Sequence, residues 1–251
     1  MFHWERQGSG KDVVLVHGFL GTGEIFEPLT RYLQKQFRVT TLDLPGFGRS
    51  RDLPVPDTVT ELSHQVAQTI RSSGLQTCSI LGHSLGAWIA LELSLQQPDL
   101  LEKMVLYGGS PDGICPDRFE TYENSIERIK NLGVDRFAGD LAAEWFVKGK
   151  QDPLYCVAEK AGKNANEAAA IAHVASWNAW KTSDRLTEVN TKTLIICGDS
   201  DRSTHPDLSI GMWQQISGSH LFIAPDSGHI VHLEQAEIFN RSVSQFLTDT
   251  A

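Results

Sequence analysis

Short runs of apolar residues recur along the chain at Val13–His17, Arg38–Leu44, Cys78–Leu81, Lys103–Tyr107, Thr193–Cys197 and His220–Ala224. Most are nearly continuous instead of alternating, the pattern of strands covered by helices on both faces of a parallel sheet. Between them lie segments of helical length and periodicity: Glu24–Gln36, Val59–Ser72, Leu85–Gln96, Asp207–Ile216 and Glu234–Leu247. Strand and helix alternating in this way predict βαβ units in one sheet, joined by right-handed crossovers.

The alternation breaks between about Pro111 and Leu186. This stretch carries no strand pattern and is rich in Ala, Glu, Lys and Trp, with helical periodicity at Phe119–Asn131 and Asn166–Trp180. Insertions in α/β folds sit in loops at strand C-termini. The break therefore predicts a helical insertion after the Lys103–Tyr107 strand. The resulting division is a core of residues 1–110 and 187–251 and a cap, or lid, of residues 111–186.

Composition narrows the class. The chain has 251 residues, long enough for a self-sufficient core. It carries 22 basic against 31 acidic residues, a net charge of −9. With no Lys/Arg cluster, such a surface argues against nucleic acid or an anionic membrane as partner. Cys78, Cys115, Cys156 and Cys197 are scattered, with no metal-ligand spacing, and fit thiols in a reducing compartment. The N-terminal residues show no secretory signal, and no apolar run has the length of a membrane span. The expectation is a soluble cytoplasmic protein acting on a small molecule.

The strongest chemical signal is Gly82-His83-Ser84-Leu85-Gly86, directly between a strand and a helix. A nucleophilic serine needs its hydroxyl thrust out on a tight strand-to-helix turn, and the flanking glycines let the backbone cross without a Cβ clash. Serine also needs a base, and the base needs an orienting acid. Asp201 follows the Thr193–Cys197 strand and His229 follows His220–Ala224, giving the chain order Ser, Asp, His. All these strand ends meet on one rim of a parallel sheet. Asp199 competes for the acid position, but its closeness to the strand suits it to holding the turn. His83 reads as a neighbour that tunes the pocket, His232 as a packed or capping residue, and the pair His229/His232 as no metal site. An oxyanion hole needs two backbone N–H groups. Leu85 at the helix start is one candidate, and Phe19 in the glycine-rich His17–Gly23 loop is the other.

With these pieces in place the chain resembles the α/β-hydrolase family over essentially its full length. The landmarks are His17-Gly18-Phe19, Asp43-Leu44-Pro45-Gly46-Phe47-Gly48-Arg49-Ser50, the Gly82–Ala87 elbow, the Gly198–Arg202 turn and Ser227-Gly228-His229. The resemblance implies an α/β fold with a mostly parallel, eight-stranded sheet, an inserted helical cap and a Ser84-His229-Asp201 mechanism. It carries Phe19 and Leu85 over as oxyanion donors. It requires no metal or organic cofactor. The leading expectation is hydrolysis of a carboxylic ester or lactone. His-Gly-Phe-Leu-Gly and Asp-Leu-Pro-Gly-x-Gly are also similar to the pyruvate-eliminating synthase of menaquinone synthesis and to ring-cleavage C–C hydrolases. Those act on carboxylated substrates and would call for a cap arginine, with Arg118, Arg128 and Arg136 available. A ligand receptor with an intact triad is the third reading. For the substrate pocket the candidates are His17, Trp145, Trp177 and Trp180, the last two at i, i+3 helical spacing and so expected on one face. Phe119, Phe137, Phe146 and Tyr155 add aromatic surface to the cap, and Trp88 is expected in the core.

Overall fold

The computed structural model describes residues 1–115, 118–163 and 165–249. Among them are seven strands: β1 (Trp4–Gly8), β2 (Lys11–Val16), β3 (Phe37–Leu42), β4 (Cys78–His83), β5 (Leu101–Tyr107), β6 (Lys192–Gly198) and β7 (His220–Ala224). They form one sheet in the order β1-β3-β2-β4-β5-β6-β7, parallel except for β1, which runs antiparallel to β3. The central strand β4 is buried at every position, as its unbroken apolar run requires. At one edge β1 is largely exposed and reads Trp-Glu-Arg-Gln-Gly. It is held by backbone pairing to β3 and carries no apolar signature. The sheet corrects the eight strands that the resemblance implies: only β1 precedes β2, and it pairs straight onto β3.

Ten α-helices and five short 3-10 helices complete the described residues. The core carries α1 (Glu27–Leu33), α2 (Val59–Ser72) and α3 (Leu85–Gln96). Between β5 and β6 stand α4 (Tyr122–Leu132), α5 (Val134–Trp145), α6 (Tyr155–Gly162) and α7 (Glu167–Trp177). The chain then continues through α8 (Pro206–Gln215), the short α9 (Val231–Glu234) and α10 (Ala236–Thr248). Caps set the helix starts. The Thr58 side chain accepts the Glu61 N–H at 3.1 Å, Thr121 accepts that of Asn124 at 3.2 Å, and Asn166 accepts that of Ala169 at 3.1 Å. Because Thr121 caps α4, Arg118 and Phe119 lie in the loop before it. No helix among the described residues is long and apolar enough to cross a membrane.

Strand order reverses at β2: the chain steps outward to β3 and then returns to the other side of β2 with β4. Loops following β2 and β4 leave the same rim in opposite directions, and the crevice between them is where α/β sheets bind ligands. Buried imidazoles tie this rim together. His17 Nε2 accepts the Leu44 N–H at 2.9 Å, so its proton lies on Nδ1, which donates to the Gly18 carbonyl at 2.7 Å. His173 of α7 donates from Nε2 to the Pro45 carbonyl at 2.8 Å, and its ring stacks on Phe47. His232 donates from Nε2 to the Ile25 carbonyl at 3.2 Å.

Burial pushes the pKa of His17 down, that of His173 to about 4 and that of His232 to about 3. Unfolded histidine titrates near 6.5. Above that pH both states are neutral. As the pH falls below it, the unfolded chain takes up protons that the folded chain refuses, and stability drops until the folded values are reached. Urea unfolding at about pH 5 should therefore show on the order of 2 kcal/mol less stability than at about pH 7.5 for each of His173 and His232. A stability flat across this range contradicts these roles.

Candidate active site

The turn from β4 into α3 is the most constrained point of the backbone. Ser84 sits there at φ 54°, ψ −117°, a conformation that residues with a side chain rarely adopt. The neighbouring packing enforces it. A Cβ on Gly82 would lie 2.0 Å from the Gly86 carbonyl oxygen, and one on Gly86 would lie 2.1 Å from that of Val16. Helix α3 thus presses against the end of β2, and the chain has no room for a wider turn. The Ser84 N–H donates to the Tyr107 carbonyl at 2.8 Å, anchoring the turn to β5.

Asp201 and His229 leave β6 and β7 on the same rim. His229 Nδ1 lies 2.8 Å from Asp201 Oδ2, with both side chains almost fully buried. Asp201 also accepts the Ser203 N–H at 2.8 Å, the Thr204 N–H at 3.0 Å and the Thr204 hydroxyl at 2.9 Å. Three further donors leave the carboxylate one orientation. The imidazole proton that bridges to it sits on Nδ1, and Nε2 remains free to accept another. The His229 backbone is fixed as well: its N–H donates to the Trp145 carbonyl at 2.8 Å, and its carbonyl accepts from His83 Nε2 at 3.0 Å and from the Tyr107 hydroxyl at 3.1 Å. Burial holds the His83 pKa well below the usual histidine range, so the ring beside His229, 4.7 Å between centroids, carries no competing charge.

Asp199, the competing acid, does not meet the imidazole. It accepts the N–H groups of Asp226 and Ser227 at 3.1 and 3.2 Å and so binds the β6 turn to the loop that carries His229. Burial and these hydrogen bonds pull in opposite directions, and the carboxyl ends below its ordinary pKa. Glu234 performs a similar task, accepting from the N–H groups of Val147 and Gly228 at 2.8 and 2.7 Å. Thr204 and Glu234 belong to no motif. They become visible as site residues only once the loops are placed.

Ser84 and His229 line one cavity together with Phe19, Leu85, Trp88, Trp145 and Trp177. As the first residue of α3, Leu85 has an N–H that the helix cannot use. Phe19 precedes Leu20, which is itself at positive φ, and a Cβ on Gly18 would lie 2.9 Å from Ser84 Cβ. The Phe19 loop and the start of α3 thus both lie beside the serine.

The remaining pocket candidates divide. Trp145 and Trp177 are in the wall, as are Phe119 and Arg118. His17 is fully buried behind the wall, occupied by its two backbone hydrogen bonds. Trp180 is outside too: α7 ends at Trp177, so the i, i+3 face breaks, and the Trp180 indole instead stacks on Trp88 and donates to Glu92 at 2.9 Å. Phe137 and Phe146 are core residues, and Tyr155 bonds the Gly139 carbonyl. Trp88 is buried in the core as expected and also forms part of the wall, as does Tyr122, which the sequence did not single out.

The packing at the elbow gives a direct test. Gly86→Ala should cost about 3 kcal/mol or more, because the new methyl meets backbone that cannot yield. Thermal melts of the purified variant read this out, and a melting temperature within a degree or two of the parent contradicts it.

Comparison with known proteins adds to this geometry. A family model described as the alpha/beta hydrolase fold matches residues 12–236. The 2-hydroxy-6-oxononadienedioate/2-hydroxy-6-oxononatrienedioate hydrolase 1 of Pseudomonas putida is 28% identical over 98% of this chain and 91% of its own. The pimeloyl-acyl-carrier-protein methyl ester esterase of Vibrio cholerae is 24% identical over 98% of each chain. Among solved structures, the enol-lactonase from Burkholderia xenovorans superposes with a TM-score of 0.91 at 20% identity, covering 99% of this chain and 96% of that one. At that identity the superposition speaks to the fold. A family match over nearly all of the sequence, on a sheet of this order, makes the chain a member of the α/β-hydrolase family.

Proposed function

We propose that this protein is a serine hydrolase that cleaves a carboxylic ester or lactone of a small molecule, with Ser84, His229 and Asp201 as its triad. The observation that carries the reading is the buried Asp201–His229 pair at 2.8 Å, whose imidazole lines the same cavity as the strained Ser84. In this mechanism the Ser84 hydroxyl attacks the acyl carbon and its proton passes to His229 Nε2. The N–H groups of Phe19 and Leu85 hold the oxyanion. Collapse breaks the bond to the leaving alkoxide, which takes the proton back from His229. A water molecule, deprotonated by the same nitrogen, then attacks the acyl-enzyme and releases the acid and free Ser84. Asp201 holds the imidazole tautomer throughout, and Thr204 holds Asp201.

Residues 111–186 act as the cap in this reading, and residues 1–110 and 187–251 as the core that carries the chemistry. The cavity holds only about 40 Å³, so a substrate enters when the cap helices draw back from the rim. All four cysteines are free, which suits an enzyme of the reducing cytoplasm.

Rates on a panel of short 4-nitrophenyl esters and small lactones test the assignment. Ser84→Ala should abolish turnover, and Asp201→Asn should lower kcat by roughly 10⁴-fold, since the amide favours the wrong imidazole tautomer. Thr204→Val, which removes one hydrogen bond to the acid, should cost about tenfold in kcat with KM little changed. Full activity in Ser84→Ala overturns the reading. Saturable binding of panel compounds without any turnover moves the receptor reading ahead of it.

A further inference from the structure

Of the four cap arginines, three are spent elsewhere, Arg185 on Glu188 at 2.8 Å. Arg128 is paired with Glu120 at 2.8 Å and Asp140 at 3.3 Å, and Arg136 is exposed on α5. Arg118 is different. It lies in the loop before α4 and is part of the wall of the Ser84 cavity. Its guanidinium is stacked 4.3 Å from the Phe119 ring centroid and 5.1 Å from that of Tyr122, two other wall residues. One nitrogen, Nη1, donates to the Glu120 carbonyl at 2.7 Å and to the Ser125 hydroxyl at 3.2 Å. Among the described residues no carboxylate pairs with it, and Nε and Nη2 make no hydrogen bond. The nearby Glu120 carboxylate is committed to Arg128 and Ser125.

A guanidinium taken largely out of water without a counter-ion among the described residues is costly, and burial lowers its pKa. Arginine nonetheless stays charged in proteins. Beside it the Trp177 indole, 5.1 Å from the Tyr122 ring, keeps a buried Nε1–H with no acceptor. Two wall residues thus carry donors that find no acceptor among the described residues, in a cavity lined largely by apolar and aromatic side chains. Donors without acceptors, one of them cationic, call for an anion that brings its own oxygens. A planar carboxylate matches the fork. Ser203 Oγ, also buried and unpartnered, follows Asp201 closely in the chain, where a second anion would be repelled, and suits a neutral oxygen of the substrate.

We propose that Arg118, assisted by Trp177 Nε1, is the carboxylate-binding group of this site, and that the substrate is an ester or lactone that also carries a free carboxylate. This rests on the Ser84 hydrolase reading for its chemistry, but the binding step stands without it.

The test uses two size-matched substrate pairs that differ in the carboxylate. One is mono(4-nitrophenyl) glutarate against 4-nitrophenyl pentanoate, with the charge on the acyl side. The other is 4-acetoxybenzoate against 4-acetoxytoluene, with the charge on the leaving group. The wild type should prefer the acid in at least one pair, and Arg118→Met should lower that charged-to-neutral ratio of kcat/KM by roughly 30-fold or more. Arg118→Lys, which keeps the charge and loses the fork, should fall between them. A second arm reads binding alone: glutarate is titrated into Ser84→Ala and followed by fluorescence of the cavity tryptophans, with glutaramide as the neutral control. Arg118→Met in that background should weaken glutarate at least about tenfold. Equal losses on both members of each pair, together with glutarate binding that ignores Arg118, overturn the proposal. Arg118-dependent glutarate binding in a protein that hydrolyses neither pair supports it while counting against the hydrolase reading.

Discussion

The site hangs on one steric constraint, the contact between the start of α3 and the end of β2. With Gly86 packed so tightly on the Val16 carbonyl that a methyl would stand 2.1 Å away, the chain between β4 and α3 has to turn within a single residue. That residue is Ser84, held at positive φ at a cost of about 1–3 kcal/mol that the surrounding core offsets. The turn leaves the Leu85 N–H without a helical partner and stands beside Gly18 and the Phe19 loop. The proposed nucleophile and oxyanion donors are thus consequences of one close approach between a helix start and a central strand.

Around that turn, burial removes charge from the groups that do not need it. His83 and His17 are neutral, the Tyr107 hydroxyl is pushed well above its ordinary range, and the polar atoms of these side chains go to backbone carbonyls and amides that fix the loops. Asp201 is surrounded by three donors besides the imidazole, while Arg118 stands at the cavity wall with donors to spare. In the proposed mechanism the carboxylate steadies the charge that forms on His229, and the guanidinium steadies the charge the substrate brings. In that mechanism the segment between β5 and β6 supplies the second, and the aromatic rings of the wall lower the local dielectric.

Much of this was legible in the sequence because its signals are local. The apolar runs of β2, β4, β5 and β6, the span of α3 and the Gly-x-Ser-x-Gly turn depend on neighbours a few residues away. β1 was not legible, since an exposed edge strand held by backbone pairing needs no apolar residues and Trp-Glu-Arg-Gln-Gly has hardly any. Nor was the eighth strand excluded, because strand number came from resemblance and not from these residues. Between β5 and β6, two helix ends decide which side chains line the cavity. Thr121 starts α4 late enough to leave Arg118 in a loop, and α7 stops at Trp177, sending Trp180 onto Trp88. Periodicity finds the body of a helix, whereas its ends depend on capping bonds and on what packs beyond them. Thr204, Glu234 and Tyr122 joined the site through tertiary contacts that no spacing announces.

The central claim is that Ser84 is activated by the Asp201–His229 pair, and covalent capture tests it most directly. The folded protein incubated with a small alkyl fluorophosphonate and measured by intact mass should gain one adduct, located on Ser84 by peptide mapping. Ser84→Ala should gain none, and Asp201→Asn should react much more slowly. A wild-type protein that stays unlabelled while folded, or that is labelled elsewhere, contradicts the account.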